Sequence, residues 1–255
     1  MVKVVNPTSI EQSILRTSLM PGLLQTVKFN HDRENHDIAG FEVGRIHFKK
    51  EEQYKEQSVV GIILTGKNRP RHWDRKPSDI DFFDLKGVIE NLLGGIGGEG
   101  FVFQSSRLPI FHPGRQAGIF AKSLRIGTLG EVHPAIVRRL DVPQRIFFAE
   151  IDLHDLFQVR KTDFQMQEIS IYPGSSRDLT ITLNEETSIQ NIFNSILAIP
   201  SSLLEEVMVV DLFRSEKIGK GYKNVTFHFV YRDKSKTISQ ADVDAEHARI
   251  TAQIS

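Results

Sequence analysis

The chain has 255 residues, of which 40% are hydrophobic and 25% charged. That composition suits a folded globular protein of one large domain or two modest ones and excludes disorder, collagen and low-complexity repeats. Lys plus Arg total 32 and Asp plus Glu total 32, so no overall field favours a nucleic acid, membrane or acidic partner, and any such contact must be local. With no cysteine, disulfide frameworks, thiolate metal sites and cysteine nucleophiles are excluded as well.

The N-terminal residues lack a signal-peptide core, and no apolar run approaches the roughly 20 residues that span a bilayer, so a cytoplasmic protein without a membrane partner is expected. Ser9 with Gln12 three residues on has capping-box form and predicts a helix starting nearby. Leu15, Leu19, Leu23, Leu24 and Val27 follow at helical spacing. Pro21-Gly22 interrupts them and marks the first turn of a second helix. This stripe is core or interface. Over 41–48 the period changes to two, with the apolar parity shifting across Gly44 as at a bulge. A second strand is predicted over 58–65. Asp79 or Asp81 then caps a helix in which Phe82, Phe83, Val88, Ile89, Leu92 and Leu93 recur, and Gly94-Gly95 ends it. Strands over 101–103, 118–121 and 125–130, a short helix over 134–140 and a strand over 145–153 complete a hairpin-spaced series. With helices to one side, this predicts a largely antiparallel α+β domain.

The pattern restarts near 161–167. A strand over 177–183 precedes a helix over 188–197, in which Ile189, Ile192, Phe193 and Ile196 face inward and which Pro200 stops. Strands over 207–213 and 225–231 follow, the second alternating Val225, Phe227, Phe229 and Tyr231. Ser239 caps a last helix carrying Val243, Ile250 and Ile254 on one face. This β-α-β-β-α order is a ferredoxin-like unit short of its final strand.

Gly95-Ile96-Gly97-Gly98-Glu99-Gly100 formally matches the dinucleotide fingerprint, but the helix precedes the glycines, so a helix C-terminal turn is the better reading. His112-Pro113-Gly114-Arg115 and Glu131-Val132-His133-Pro134 each set a histidine beside a proline. A Glu/His pair could serve acid–base or metal chemistry if the fold joined them, whereas proline-bounded turns would use these side chains to cap nearby backbone. No nucleophile-elbow pattern surrounds Ser105 or Ser106. Lys67, Arg69, Arg71, Arg75 and Lys76 surround Trp73, a combination that can hold phosphate and stack on a base; a solvated loop or a seat for a partner subunit accounts for it equally well. From residue 168 onward there are 9 Lys/Arg against 12 Asp/Glu, so RNA binding there needs a focused surface. Arg214, Lys217, Lys220 and Lys223 share one inter-strand connection.

Several strings occur together in order and spacing: Asn6-Pro7-Thr8-Ser9, Leu15-Arg16-Thr17-Ser18-Leu19-Met20-Pro21-Gly22-Leu23-Leu24, Phe41-Glu42-Val43-Gly44, Asp81-Phe82-Phe83-Asp84-Leu85-Lys86-Gly87, His112-Pro113-Gly114-Arg115 and Gly130-Glu131-Val132-His133-Pro134. They resemble the beta subunit of bacterial phenylalanyl-tRNA synthetase. The stretch from Tyr172-Pro173-Gly174-Ser175-Ser176-Arg177-Asp178-Leu179 to Ser239 is similar to that subunit's ferredoxin-fold anticodon-binding domain. The resemblance implies a class II synthetase-like antiparallel module over 1–162, followed by the anticodon-binding domain over 163–255. The family's subunit is much longer and begins with tRNA-binding, editing and magnesium-associated domains, so a C-terminal fragment is implied.

In this family the module keeps the class II fold without its chemistry. The arginine and glutamate patterns that clamp ATP in class II enzymes are not placed in this sequence. The resemblance therefore implies no catalytic residue, metal or cofactor in this chain. It assigns phenylalanine, ATP and magnesium to the alpha subunit of a phenylalanine–tRNA ligase, a heterotetramer of two alpha and two beta chains. Leu15, Leu19, Leu23 and Leu24 then correspond to the family's subunit-interface motif. The family reads the anticodon of tRNA(Phe) with a Phe-Asp-Leu-Tyr string, which stands here as Val210-Asp211-Leu212-Phe213, and with a Lys-Ser pair, which stands here as Lys223-Asn224. Asp211 can accept hydrogen bonds from a base and Phe213 can stack on one. Asn224 can donate and accept, and Arg214 adjoins them. The expected role is scaffolding of the alpha subunit and anticodon binding during ATP-dependent charging. The alternatives are a free-standing RNA-binding or regulatory paralogue with no alpha subunit, and a self-contained enzyme using His112 or His133.

Overall fold

The structure, a computed structural model, describes residues 2–9, 13–96, 100–160 and 170–254. The chain divides into two compact units, Met1–Gln165 and Met166–Ser255. The expected restart over 161–167, Gly97-Gly98-Glu99 and residues 10–12 of the predicted first helix lie outside the described residues.

The first unit is an α+β layer structure on an antiparallel sheet of β1 (Ile38–Lys50), β2 (Gln53–Thr65), β3 (Phe101–Ser105), β4 (Phe111–Ala121), β5 (Leu124–Val132) and β6 (Ile146–Asp152), in spatial order β1-β2-β6-β5-β4-β3. Helices cover both faces rather than one. α1 (Met20–His31) and α3 (Pro134–Arg139) lie on one face, α2 (Phe82–Gly95) and α4 (Leu153–Val159) on the other. The reason is that β2 and β6 are apolar at both parities. Val59, Ile63 and Phe148 meet the α1 side, while Val60, Ile62, Leu64 and Phe147 meet the α2 and α4 side.

Residues 13–18 are not helical, and α1 starts with Pro21 in its first turn. Its N-cap residue, Leu19, has no capping side chain. The Glu150 carboxylate takes that place, accepting from the Leu19 amide at 2.7 Å and the Ser18 hydroxyl at 2.9 Å. Burial holds the Glu150 carboxyl above the ordinary glutamate range despite those bonds. Asp81, with Asp84 in a reciprocal capping box, starts α2; the other candidate cap, Asp79, is instead paired with Lys67 at 2.6 Å. The strand predicted over 145–153 ends at Asp152, whose side chain accepts from the Asp155 amide and starts α4.

No bulge interrupts β1, which pairs with β2 continuously from Ile38↔Thr65 to Lys50↔Gln53. Gly44 answers a different need. A Cβ there would lie 2.3 Å from Arg16 Nη2 and 3.1 Å from Leu19 Cδ2, so its absence lets the segment before α1 lie against the strand. The apolar parity shifts because β1 presents Phe41 and Val43 on one face and Ile46 on the other. Leu19 is 0% exposed, and Leu23 and Leu24 are 6% each. They pack with Ile46, Val59, Ile63 and Phe148. This corrects the interface reading of the leucine stripe: those three side chains belong to this chain's own core, and Leu15 is half-buried ahead of the helix.

The second unit follows the predicted order closely: β7 (Ser175–Asn184), α5 (Ile189–Leu197), β8 (Leu204–Phe213), β9 (Tyr222–Tyr231) and α6 (Gln240–Thr251). The sheet order is β7-β9-β8, all antiparallel. Val225, Phe227, Phe229 and Tyr231 of β9 are fully buried against Ile196 of α5 and Val243 and Ile250 of α6. Ser239 caps α6 by accepting from the Asp242 amide. One sheet face is thereby covered by helices and the other is open.

Candidate nucleic-acid interface

The open face follows from strand register. Thr182, Asn224 and Phe213 lie abreast, as do Thr180, Thr226 and Asp211, and then Asp178, His228 and Met208. Side chains directly opposite in an antiparallel sheet share a face. Met208 and Asp211 are three residues apart, a spacing that puts side chains on opposite faces of a regular strand. A register shift between Val209 and Asp211 sets Val210 aside as an extra residue, and this re-aims Asp211 to the open side.

Much of the face is fixed before any ligand arrives. The Thr180 and Thr226 hydroxyls are 2.9 Å apart, the Thr182 hydroxyl donates to Asn224 Oδ1 at 2.9 Å, and His228 Nδ1 lies 2.5 Å from Asp178 Oδ1. Asn224 therefore keeps its amide donors available, while Asp211 pairs with no cation among the described residues. Phe213 is 52% exposed at the end of β8. The arrangement offers a stacking ring, an acceptor and a donor along one strand pair, which is the equipment for holding unpaired bases.

Of the five candidate anticodon residues, Asp211, Phe213 and Asn224 are brought together on this face. Lys223 is not, which corrects its assignment. It is 6% exposed, and its ammonium donates to the Glu185 and Thr187 carbonyls at 2.7 and 2.8 Å. The signal was present in the sequence, since Lys223 shares the parity of Val225, Phe227, Phe229 and Tyr231. Arg214 is exposed but engaged by Glu185, with Nη2 to Oε1 at 2.7 Å and Nε to Oε2 at 2.9 Å. That bond holds the Glu185 carboxyl below its usual range. Of the four cations in the connection, Lys217 and Lys220 remain exposed without an ion pair among the described residues. On the same face, Asp178 stands in the motif string over 172–179 without a role read from it, and His228 lies in no local motif; the strand register pairs them.

The histidine motifs of the first unit serve the backbone. His112 Nδ1 accepts from the Gly114 amide at 3.1 Å, and His133 Nδ1 accepts from Ala135 at 3.2 Å as the N-cap of α3. Glu131 is buried beside Arg115 at 2.9 Å and Arg145 at 3.9 Å, and Ser106 donates to Gln116 Oε1. Among the described residues no group of three His, Asp or Glu side chains could hold a metal ion. No helix among the described residues is long and apolar enough to cross a membrane.

A second face with functional potential lies on the first unit. Phe41 and Val43 of edge strand β1 are 73% and 60% exposed. With Val60, Ile62, Val88, Leu92 and Phe157 they line a groove of about 510 Å³ with no polar side chain in its wall. The groove does not fit a nucleotide, because nothing in it would meet a triphosphate; it fits an apolar protein surface.

Two family descriptions match the chain. Residues 1–153 match the phenylalanyl tRNA synthetase beta chain CLM domain, and residues 170–255 match the ferredoxin-fold anticodon binding domain. Three proteins named phenylalanine–tRNA ligase beta subunit are among its relatives. The one from Protochlamydia amoebophila is 54% identical over 254 residues, covering all of this chain and 32% of its own length. That from Symbiobacterium thermophilum is 30% identical over 96% of this chain and 28% of its own. That from Chlamydia muridarum is 32% identical over 93% of this chain and 30% of its own. The chain thus spans about a third of the length of the curated relatives it matches.

Proposed function

The chain belongs to the phenylalanyl-tRNA synthetase beta-chain family, and from that premise we propose that it is the scaffolding and anticodon-reading part of a phenylalanine–tRNA ligase. Residues 1–162 are the catalytic-like module and 163–255 the anticodon-binding domain. The observation that carries the reading is the joint placement of Asp211, Phe213 and Asn224 on one open sheet face, with Asn224 oriented by Thr182. Phe213 stacks on an unpaired base of the tRNA(Phe) anticodon, while Asp211 accepts and Asn224 donates at base edges.

The name of the relatives implies an alpha partner, in an assembly of two alpha and two beta chains. Its docking face on this chain is the apolar groove beside β1. The buried leucines of α1 are not available for that purpose. ATP-dependent activation of phenylalanine with magnesium belongs to the assembled ligase in the cytoplasm. The 255-residue chain alone has no turnover on this reading.

The test is fluorescence anisotropy of the chain with a hairpin carrying the phenylalanine anticodon, against the same hairpin with a scrambled anticodon. One stacked base is worth roughly 1–3 kcal/mol, so Phe213→Ala should weaken the cognate hairpin by about 5- to 150-fold and leave the scrambled one nearly unchanged. Asp211→Ala should narrow the same preference. Equal binding of both hairpins by the unaltered chain would refute anticodon reading.

A further inference from the structure

Between β2 and α2 the chain leaves the first unit as a loop whose base is tied and whose tip is bare. The Ile80 amide donates to the Gly66 carbonyl at 2.9 Å and the Asn68 amide to the Ser78 carbonyl at 3.0 Å. The Asn68 side-chain amide reaches the Ser78 hydroxyl at 2.7 Å, and the Lys67 amide reaches Asp37 Oδ1 at 2.8 Å. Gly66 sits at φ +87, where a Cβ would lie 2.4 Å from the His36 carbonyl oxygen, so the sharp departure from β2 requires glycine. These bonds hold the two stems together as in a short hairpin and present residues 69–76 to solvent on a fixed base.

That tip has a definite chemistry. Trp73 is 91% exposed, with the His72 ring tilted against it at 5.5 Å between centroids. The loop carries five cations, Lys67, Arg69, Arg71, Arg75 and Lys76, and two carboxylates, Asp74 and Asp79. Both carboxylates are spoken for, Asp79 by Lys67 at 2.6 Å and Asp74 by Arg75 at 3.6 Å. Arg69, Arg71 and Lys76 are left exposed with no carboxylate partner among the described residues. An indole this exposed, flanked by three uncompensated cations, is complementary to a phosphodiester chain with an unstacked base. It is poorly suited to the apolar protein surface that the neighbouring groove would take, because three cations would have to be desolvated there without partners.

We infer that the loop between Lys67 and Asp79 is a second, sequence-independent RNA contact, in which Trp73 stacks on an unpaired base while Arg69, Arg71 and Lys76 meet flanking phosphates. The inference rests on the proposed RNA-binding role of the chain but not on the sheet face of the second unit. It supplies a term that the second unit, with 9 Lys/Arg against 12 Asp/Glu from residue 168 onward, is poorly equipped to supply.

Trp73 is the single tryptophan of the chain, so its emission reports on the loop and on nothing else. The experiment titrates the 255-residue chain with a tRNA(Phe) transcript, with a transcript of scrambled anticodon and with a short mixed-sequence single-stranded RNA. Trp73 emission and the anisotropy of the labelled RNA are followed together at several salt concentrations. Quenching by all three RNAs, with the midpoint of the anisotropy change, is expected. Trp73→Ala should weaken all three by about tenfold. The Arg69→Ala/Arg71→Ala/Lys76→Ala variant should lower the slope of log affinity against log salt by about 2. Because these side chains are exposed, the melting temperature should stay unchanged in both variants. RNA that binds by anisotropy while leaving Trp73 emission and the salt slope of the triple variant unaltered would overturn the inference, as would absence of binding to all three RNAs. A Trp73 emission shift seen only on adding the alpha subunit would overturn it in favour of a protein seat. Failure of the anticodon reading looks different: all three RNAs quench Trp73, but the two transcripts bind equally.

Discussion

Placing aspartate on the two apolar surfaces of the first unit separates core from interface, and the two surfaces should answer in opposite ways. Leu19 is 0% and Leu23 6% exposed in the cluster with Ile46, Val59, Ile63 and Phe148. Truncating such a leucine to alanine costs about 2–5 kcal/mol in transfer and cavity terms. In a unit of this size that lowers the melting temperature by roughly 5–20 °C. Aspartate adds the desolvation of an unpaired carboxylate, a further several kcal/mol, which brings the total near the ~5–15 kcal/mol stability of an ordinary domain. Leu19→Asp and Leu23→Asp should therefore lose the protected amides of β1 and β2 in hydrogen exchange, and Leu23→Ala should keep them with a lowered melting point. Phe41 and Phe157 are 73% and 51% exposed on the groove, and polar substitutions at such positions change stability by about 0.5 kcal/mol or less. Phe41→Asp with Phe157→Asp should leave melting and exchange intact and abolish co-purification with the alpha subunit. A Leu23→Asp protein with intact β2 protection, failing only to bind the alpha subunit, would refute the placement of the leucines in the core. A groove variant that binds the alpha subunit normally would refute the docking face.

Two further outcomes concern the second unit. Lys223→Ala leaves the Glu185 and Thr187 carbonyls without their ammonium donor, so the urea midpoint of the unit should fall by an amount equivalent to about 1–3 kcal/mol, while the preference between hairpins survives; lost preference at unchanged stability would return Lys223 to the RNA face. His247 Nδ1 lies 2.9 Å from the Tyr231 hydroxyl, and burial, assisted by Arg177, holds the imidazole below its ordinary pKa of 6.5. Tyr231 is pushed up to about 12, chiefly by burial, and remains the donor. The unfolded chain binds the His247 proton more readily than the folded one, so stability is fully present above 6.5 and is lost as pH falls through the depressed folded value. Urea midpoints measured from about pH 7.5 to about pH 5 should decline, and His247→Gln should flatten that decline.

How much of this was legible in the sequence depended on whether the signal was local. The second unit could be read almost element by element, because β9 alternates cleanly from Val225 to Tyr231 and the covered and open faces follow from that alternation. The same parity rule puts Lys223 on the covered face, although the motif resemblance assigns it to the RNA. In the first unit the strands are legible, but the two-sided cover is not, because β2 over 59–64 and β6 over 146–149 are apolar at both parities and period-two reasoning has nothing to count. The leucines of α1 show the complementary limit: an amphipathic stripe states that something covers it, and only the tertiary arrangement states that β1, β2 and β6 of the same chain do so. Gly44 stands at a break in alternation, and the close approach of Arg16 and Leu19, rather than a bulge, accounts for it. The bulge that re-aims Asp211, at Val210, lies in an unbroken apolar run from Val207 to Val210 that gives no warning of it.

The charge distribution divides the labour of RNA binding on this reading. The second unit is net negative by composition, with its cations partly consumed: Arg214 by Glu185 and Lys223 by backbone carbonyls. Phosphate attraction can contribute little at its open face, and what Asp211, Phe213 and Asn224 supply is base contact, which carries sequence information and depends weakly on salt. The loop around Trp73 has the opposite endowment: three uncompensated cations and a ring that any base can stack on, giving affinity without discrimination. Each surface lacks what the other provides. With zero net charge overall, RNA binding rests on such local surfaces. Removing the loop cations should lower affinity for every RNA and leave the ratio between anticodons untouched, whereas altering the sheet face should collapse that ratio while the salt dependence stays.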